Sequence, residues 1–191
     1  MIIKLKNIVC ELVNSRGIEV RELITRDEEL KFLEYVKRHY IGKSASNINI
    51  KMGIFVNNSM VGIIAYGSPT YAGTAKEYGF NTNEIVELRR LYIDDDVKIY
   101  NIESQVISMA NKELKRIKPN IKIIITYADP NAGHLGTIYM ATNAIYVGKS
   151  KSKFGKHKYL YILANSSERK RILNKLNNII QTYPKKIGIY N

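Results

Sequence analysis

Residues 126–148 read TYADPNAGHLGTIYMATNAIYVG and gather most of the side chains able to do directional chemistry. Asp129 follows the nearly continuous apolar run IKIIITYA, the pattern of a central strand buried on both faces. A carboxylate at the end of such a strand can accept a proton. Pro130 holds the preceding residue extended and exposes its carbonyl as a second acceptor. His134 can shuttle a proton. Gly133 and Gly136 flank it and suit a helix start whose N–H groups point at a carbonyl or phosphate oxygen of a bound cofactor. Tyr139 can orient or protonate a leaving group, and the Thr126 hydroxyl can bond substrate or donor. Plainer readings exist for each: an Asp-Pro turn with a helix cap, a helix-start hydrogen-bonder at 134, core tyrosines at 139 and 146.

The segment directly after this one is basic. GKSKSKFGKHKY places Lys149, Lys151, Lys153, Lys156 and Lys158 around a turn, with Phe154 and Tyr159 interleaved. Such a run neutralises phosphates and predicts salt-sensitive, largely sequence-independent DNA binding; the alternative is a solvated lysine loop. The whole chain agrees in sign. Lys and Arg number 30 against 17 Asp and Glu, a net +13, which points to a polyanion, nucleic acid before an anionic membrane surface. A lysine-heavy composition from an AT-rich genome is the bland explanation.

Other classes of chemistry find little support. Cys10 is the single cysteine, so no internal disulfide or thiolate metal cluster forms, and IVCELV reads it as a small buried hydrophobe. His39, His134 and His157 lack paired metal-ligand spacing, and no metal is expected. No apolar run approaches the roughly 20 residues of a membrane span, and no signal-peptide core is present, which makes the cytoplasm the expected compartment.

The elements that must position these groups read as one mixed α/β (α+β) domain over residues 1–191, a largely antiparallel sheet with helices on both faces. Residues 2–14 read as extended. TRDEELKFLEYVKRHY reads as a helix, with Leu30, Leu33, Val36 and Lys37 at helical spacing and Thr25 with Glu28 as a capping box. INIKMGIFVNNSMVGIIAYGSP reads as a hairpin turning at Asn57, Asn58 and Ser59. A loop over 70–83 leads into the strand EIVELRRLYID. NIESQVISMANKELKRIK predicts a helix capped by Asn101, with Val106, Met109, Ala110 and Leu114 inward and a stop at Pro119. A short helix around 134–142, the strands AIYVG and HKYLYILA, and a helix started by Ser166 or Ser167 complete the chain.

The element order is similar to the GNAT acyltransferase fold. YADPNAGHLGTIYMATNAIYVG also closely resembles the signature of the Mom family of phage DNA-modification proteins. The matching positions are Tyr127, Ala128, Asp129, Pro130, Gly133, His134, Gly136, Ile138, Tyr139, Ala141, Asn143 and Gly148. HYIGKS (39–44) resembles that family's His-Tyr element, ELRRLYI its strand with Glu87 and Arg90, and GKHKYLY with the late YPK its C-terminal end. Thr126 stands where the family has Ser. Ala144 replaces a common Trp, which removes the residue that would stack on a base.

The resemblance implies transfer of a carbamoylmethyl (acetamido) group to N6 of adenine in DNA, protecting phage DNA from restriction. Adenine N6 is a weak nucleophile, so a flipped or single-stranded base and a proton acceptor are required. Asp129 is the implied acceptor. His134, Tyr139, Thr126 and Arg90 join it as catalytic candidates, and Arg90 also suits a phosphate or carboxylate. Glu87 is a second base, a cofactor contact or Arg90's partner; strict alternation puts Glu87 and Arg90 on opposite faces unless a bulge intervenes, as GNAT strands commonly have. By fold the donor is acetyl-CoA. Yet the position of the GNAT pyrophosphate loop reads DDDVKIYNIES, with no glycine and three aspartates, so a glycyl or other aminoacyl donor competes. The alternative functions are an ordinary GNAT N-acetyltransferase acting on a small amine or protein, and a non-catalytic DNA-binding relative.

Overall fold

The computed structural model describes residues 17–38, 47–151 and 155–184. Among them run seven strands: β1 (Ile18–Glu22), β2 (Ile48–Val56), β3 (Ser59–Gly67), β4 (Ile85–Ile93), β5 (Ile123–Ala128), β6 (Ile145–Lys149) and β7 (His157–Ile162). The helices are α1 (Arg26–Arg38), α2 (Thr74–Tyr78), α3 (Ile102–Ile117), α4 (Thr137–Ala141) and α5 (Ser166–Leu176), with short 3₁₀ turns at Pro130–Ala132 and Asn177–Ile179. The mixed α/β, largely antiparallel architecture is the expected one. The chain divides into two compact units, Met1–Ser68 with Glu87–Asn120, and Pro69–Val86 with Ile121–Asn191.

In the first unit the hairpin is the plainest link from sequence to structure. Asn57 and Asn58 both adopt positive φ (49° and 67°), the mirror-image turn whose twist matches the flanking strands. Ser59 belongs to the strand rather than the turn. The strand β1 pairs antiparallel with β2, and β3 with β4. The alternating IEVRE of β1 was not anticipated; Ile18 and Val20 are fully buried.

The helix α1 packs Phe32, Tyr35 and Val36 against Ile63 and Ala65 of β3. Leu30 and Leu33, at helical spacing with Val36, are instead 52% and 53% exposed. The aromatic stripe wins the core because it removes more apolar area from water. The expected capping box is present: Glu28 N–H donates to Thr25 Oγ1 (3.1 Å), and Thr25 N–H donates to Glu28 Oε2 (3.1 Å). Arg21 clasps the same carboxylate with two bonds of 2.7 and 3.2 Å. In α3, Val106, Ile107, Ala110 and Leu114 are buried while Met109 is only half-buried. Asn101 stands at its N-cap in a left-handed conformation (φ 55°) and makes no side-chain cap, contrary to expectation.

The second unit orders its strands β5-β7-β6, all antiparallel. One face carries Ile123, Ile125, Val147, Leu160 and Ile162, packed with Ala75 and Tyr78 of α2 and Ile172 and Leu176 of α5. The helix α2 lies within the stretch expected to be loop. Asn165, not Ser166 or Ser167, caps α5, its Oδ1 accepting the Glu168 N–H at 2.9 Å. Lys122 ties the start of β5 to Glu84 (2.9 Å) and Glu168 (2.7 Å). Among the described residues no helix is long and apolar enough to cross a membrane. Cys10, His39, Tyr40, Lys153 and Phe154 lie outside the described residues.

Glu28 makes the first unit's stability pH-dependent. The Arg21 hydrogen bonds, against opposing desolvation and aided by the Ile24 and Thr25 N–H groups, hold its carboxyl at about 2 instead of the ordinary 4.5. A depressed carboxyl stabilises the fold above its unfolded value, and that contribution fades as pH falls toward the folded one. Glu28→Gln should therefore lower the urea midpoint at pH 7, with the gap from the unsubstituted protein narrowing as pH falls from 4.5 toward 2.

Candidate active site

The strand β5 delivers Asp129 to a tight turn. Its φ of −96° and ψ of 106° keep it extended before Pro130, and its Oδ1 accepts the Asn131 N–H at 3.0 Å. The Asp129 carbonyl accepts two N–H groups, from Ala132 (3.1 Å) and His134 (3.0 Å), so the second proton acceptor expected there is already committed. Gly133 N–H donates to Pro130 O at 3.0 Å. Of the N–H groups expected to face a ligand around Gly133 and Gly136, those of 133 and 134 are used within the turn. His134 itself is exposed and precedes α4 rather than lying in it.

The two glycines have separate structural reasons. Both have positive φ, 75° at Gly133 and 83° at Gly136, the region closed to most side chains. A Cβ at 133 would meet nothing within 4 Å, whereas one at 136 would lie 2.5 to 2.9 Å from Cε2, Cζ and Oη of Tyr159. Tyr159 also donates its hydroxyl to the Leu135 carbonyl. Gly136 therefore lets the chain pass flat against that ring.

The other face of β5-β7-β6 is aromatic and polar. Register pairs Thr126 with Tyr159, Ala128 with His157 and Tyr146 with Tyr159. The Tyr159 ring stands 5.4 Å from Tyr139 and 5.2 Å from Tyr146. Tyr146 Oη and His157 Nδ1 share a 2.8 Å hydrogen bond inside the core, and Tyr161 Oη meets Thr142 Oγ1 at 2.6 Å. Burial, aided by Lys149, keeps His157 below its ordinary value and so neutral, and burial raises Tyr159 to about 12. Thr126 is 1% exposed, and its Oγ1 has no hydrogen-bond partner among the described residues. Ala144 is fully buried, its carbonyl accepting from Tyr183 Oη at 2.7 Å, so position 144 offers no stacking surface.

The lysines are not equivalent. Lys156 Nζ sits 3.2 Å from Asp129 Oδ2, and Lys158 Nζ 3.1 Å from Glu77 Oε1. Lys149 and Lys151 are exposed. Burial opposes ionisation of Asp129, but Lys156 and the Asn131 N–H outweigh it and hold the carboxyl below its ordinary value. Asp129 is accordingly an ionised, oriented carboxylate.

Arg90 and Glu87 belong to β4 and to the other unit. Both are buried. The bulge that would bring them to one face is present: Ala65 pairs with Arg90 and Tyr66 with Leu88, leaving Arg89 extra. Arg90 thereby opposes Ala65 and Glu87 opposes Gly67, two residues apart on β3. Glu87 pairs with Arg89 at 3.5 Å, and Arg90 Nη1 donates to the Arg89 carbonyl at 2.7 Å.

The stretch before α3 does not cradle a pyrophosphate. Asp94 is bound to Tyr35 Oη (2.7 Å) and Arg38 (3.3 Å), and Asp95 and Asp96 are exposed anions. The Val97 and Ile102 N–H groups donate to Asp94 and Ile99 carbonyls. Two backbone donors of this stretch are thus occupied, and its aspartates set a field of the wrong sign for a CoA phosphate. Among the described residues no three His, Cys, Asp or Glu side chains gather as metal ligands.

The sequence reading passed over His157, the buried histidine bonded to Tyr146. The alternation of HKYLYI, which puts His157, Tyr159 and Tyr161 on one face, is the signal that could have found it.

Known proteins resemble this one at both levels. The model of the Mom protein family matches residues 20–175. Methylcarbamoylase mom of Escherichia phage Mu is 27% identical over 119 residues, which are 61% of this chain and 49% of that protein; the match spans about half the relative's length. Among solved structures, the GNAT family N-acetyltransferase YhbS of Escherichia coli, in complex with CoA, superposes with a TM-score of 0.56 at 11% identity, over 87% of this chain and 88% of that one. Ribosomal-protein-S5-alanine acetyltransferase of Vibrio fischeri gives 0.57 at 12%, over 80% and 96%. The fold is GNAT-like.

The glycines should separate on substitution. Gly133→Ala should lose about 1–2 kcal/mol, the penalty of positive φ alone. Gly136→Ala adds overlap with the Tyr159 ring, for a total of about 2–5 kcal/mol. Urea denaturation of both variants measures the difference.

Proposed function

The chain belongs to the Mom protein family, and on that premise we propose that it is a transferase acting on the N6 amine of adenine in DNA. The observation that carries the reading is Asp129: a carboxylate at the end of a buried strand, fixed by the Asn131 N–H, within the motif that bears the family resemblance. Its role is to accept the proton that N6 gives up as the new N–C bond forms. The lone pair of N6 is delocalised into the ring, and removing that proton while the bond forms is what makes the amine reactive. Thr126, with a buried and unmatched hydroxyl, supplies a hydrogen bond to substrate or donor. Tyr139 and His134 supply orientation and proton transfer at the leaving group, and Arg90 with Glu87 bind anionic and polar parts of the reactants. Lys149 and Lys151 meet the DNA backbone.

The transferred group has two candidate structures. The phage Mu relative is named for a methylcarbamoyl group, whereas the family resemblance suggested carbamoylmethyl. The two are isomers: in one, N6 joins a carbonyl carbon, in the other a methylene. Their masses are identical, so fragmentation or NMR must accompany the mass. The YhbS structure contains CoA, which supports an acyl-CoA donor by fold. The stretch before α3 does not fit its pyrophosphate, and that mismatch keeps an aminoacyl donor in play.

Expression in a bacterial host, digestion of its DNA and mass analysis of the nucleosides tests the reading. A modified deoxyadenosine is expected. An unmodified pool from well-folded protein, in hosts supplying both donor types, would sink it, and an N-acetylated small amine or protein instead would select the ordinary acetyltransferase. Asp129→Asn should reduce modification by at least about a hundredfold, the lower end of general-base contributions. Replacing Lys149 and Lys151 together with Gln should lower the slope of log affinity against log salt by about 2.

A further inference from the structure

Of the described lysines after Gly148, one touches the catalytic candidate. Lys156 Nζ lies 3.2 Å from Asp129 Oδ2, while the other oxygen, Oδ1, accepts the Asn131 N–H. The two oxygens therefore have different partners. Oδ1 is tied to the backbone of its own turn; Oδ2 is tied to a side chain that can leave. Lys156 is built for that. Its N–H donates to Ser150 Oγ at 3.0 Å and its carbonyl accepts the Ser150 N–H at 2.7 Å, so its backbone is pinned across the base of the loop. Its side chain remains about one third exposed (33%), on a four-carbon stem within reach of solvent. Lys158 contrasts with it: its side chain is 12% exposed, bound to Glu77 and lying over the Tyr78 ring. Lys158 is a structural lysine.

We propose that Lys156 is a positioning residue whose ammonium occupies Asp129 Oδ2 in the free protein and moves to a backbone phosphate when DNA binds, uncovering Oδ2 as the base. The inference rests on the reading of Asp129 as proton acceptor from adenine. The pair is a single contact that solvent reaches through the Lys156 side chain, so a phosphodiester can compete for its ammonium. When the ammonium leaves, the carboxylate loses the charge that stabilised its ionised form and becomes more basic. DNA thus switches on the base that acts on it, and Asp129 stays shielded until a phosphate is in place. Among the described residues, the charged and titratable groups near the carboxylate are Lys156 just before β7, His134 in the same turn, His157 opposite Ala128, and the Lys158–Glu77 pair beyond it.

The test follows the Asp129 carboxyl directly, by ¹³C NMR titration of the full chain, with the signal assigned through Asp129→Asn. The probe is an adenine-free oligodeoxynucleotide, which supplies phosphates without turnover. Its addition should raise the Asp129 midpoint toward or above the ordinary aspartate value of about 3.9. Lys156→Gln should raise the midpoint without DNA and abolish the response to DNA, while Lys156→Arg should restore both. With adenine-containing DNA, the acidic limb of the kcat profile should follow the DNA-bound midpoint and be the same in Lys156→Gln. An Asp129 midpoint unmoved by the oligonucleotide would overturn the proposal, as would a full response in Lys156→Gln or failure of the oligonucleotide to bind at low salt. If the midpoint moves as expected but host nucleosides stay unmodified, the functional reading fails while the exchange of partners stands.

Discussion

The register of β5 against β7 is the constraint on which the site depends. Ala128 pairs with His157, so the residues just beyond, Asp129 and Lys156, emerge side by side, and Thr126 falls opposite Tyr159. A slip of one residue would turn every side chain of β5 to the other face. It would bring Thr126 into the aliphatic layer of Leu160 and Ile162, and carry Asp129 away from its counter-ion. The register is held at one end and by packing on both faces. Lys122 anchors the start of the strand between Glu84 and Glu168, and the aliphatic layer on one face and the tyrosines on the other leave no second arrangement that buries both. Chemistry at a strand end inherits its precision from packing well inside the strand.

Much of this was legible in residue order, and the failures have physical causes. The Asn57-Asn58 hairpin, the Thr25–Glu28 capping box and the doubly buried run of β5 all came from local rules, because each is decided within a few residues. The inward face of α1 is not legible locally, because Leu30, Leu33 and Val36 keep helical spacing as well as Phe32, Tyr35 and Val36 do. Which stripe wins is settled by β3, which lies far away in sequence. Asn101 looked like a cap from its type, but its left-handed backbone points the side chain elsewhere.

At the candidate site the types of residue were readable while their commitments were not. Asp129, Gly133 and Gly136 stand out in the string, yet only coordinates reveal that the 133 and 134 N–H groups close a turn and that Gly136 makes room for Tyr159. The bulge at Arg89 is of the same kind: alternation predicts its necessity, and the β3 partner supplies its place. The lysines make the point most strongly. Five equal positive charges in the sequence become, in the fold, two solvated cations, one ammonium on Glu77, one on Asp129, and Lys153 outside the described residues. Net charge describes attraction at a distance; it says little about which cation is available at contact.

The division of the chain into two interleaved units bears on how it is made. The first unit begins at the N-terminus but is completed only by residues up to Asn120, and the second begins at Pro69, before the first has finished. Neither is a contiguous stretch that a ribosome could release whole. The β2–β3 hairpin can form as it emerges, since its partners are neighbours in sequence, but the first unit is complete only when β4 and α3 arrive to join strands made well before them. The strand β5 then stays without β7 until residues 157–162 are synthesised, an exposed run of isoleucines for the whole of that interval. Until β7 arrives, the strand that leads to Asp129 has an unpaired edge, an aggregation hazard for the nascent chain.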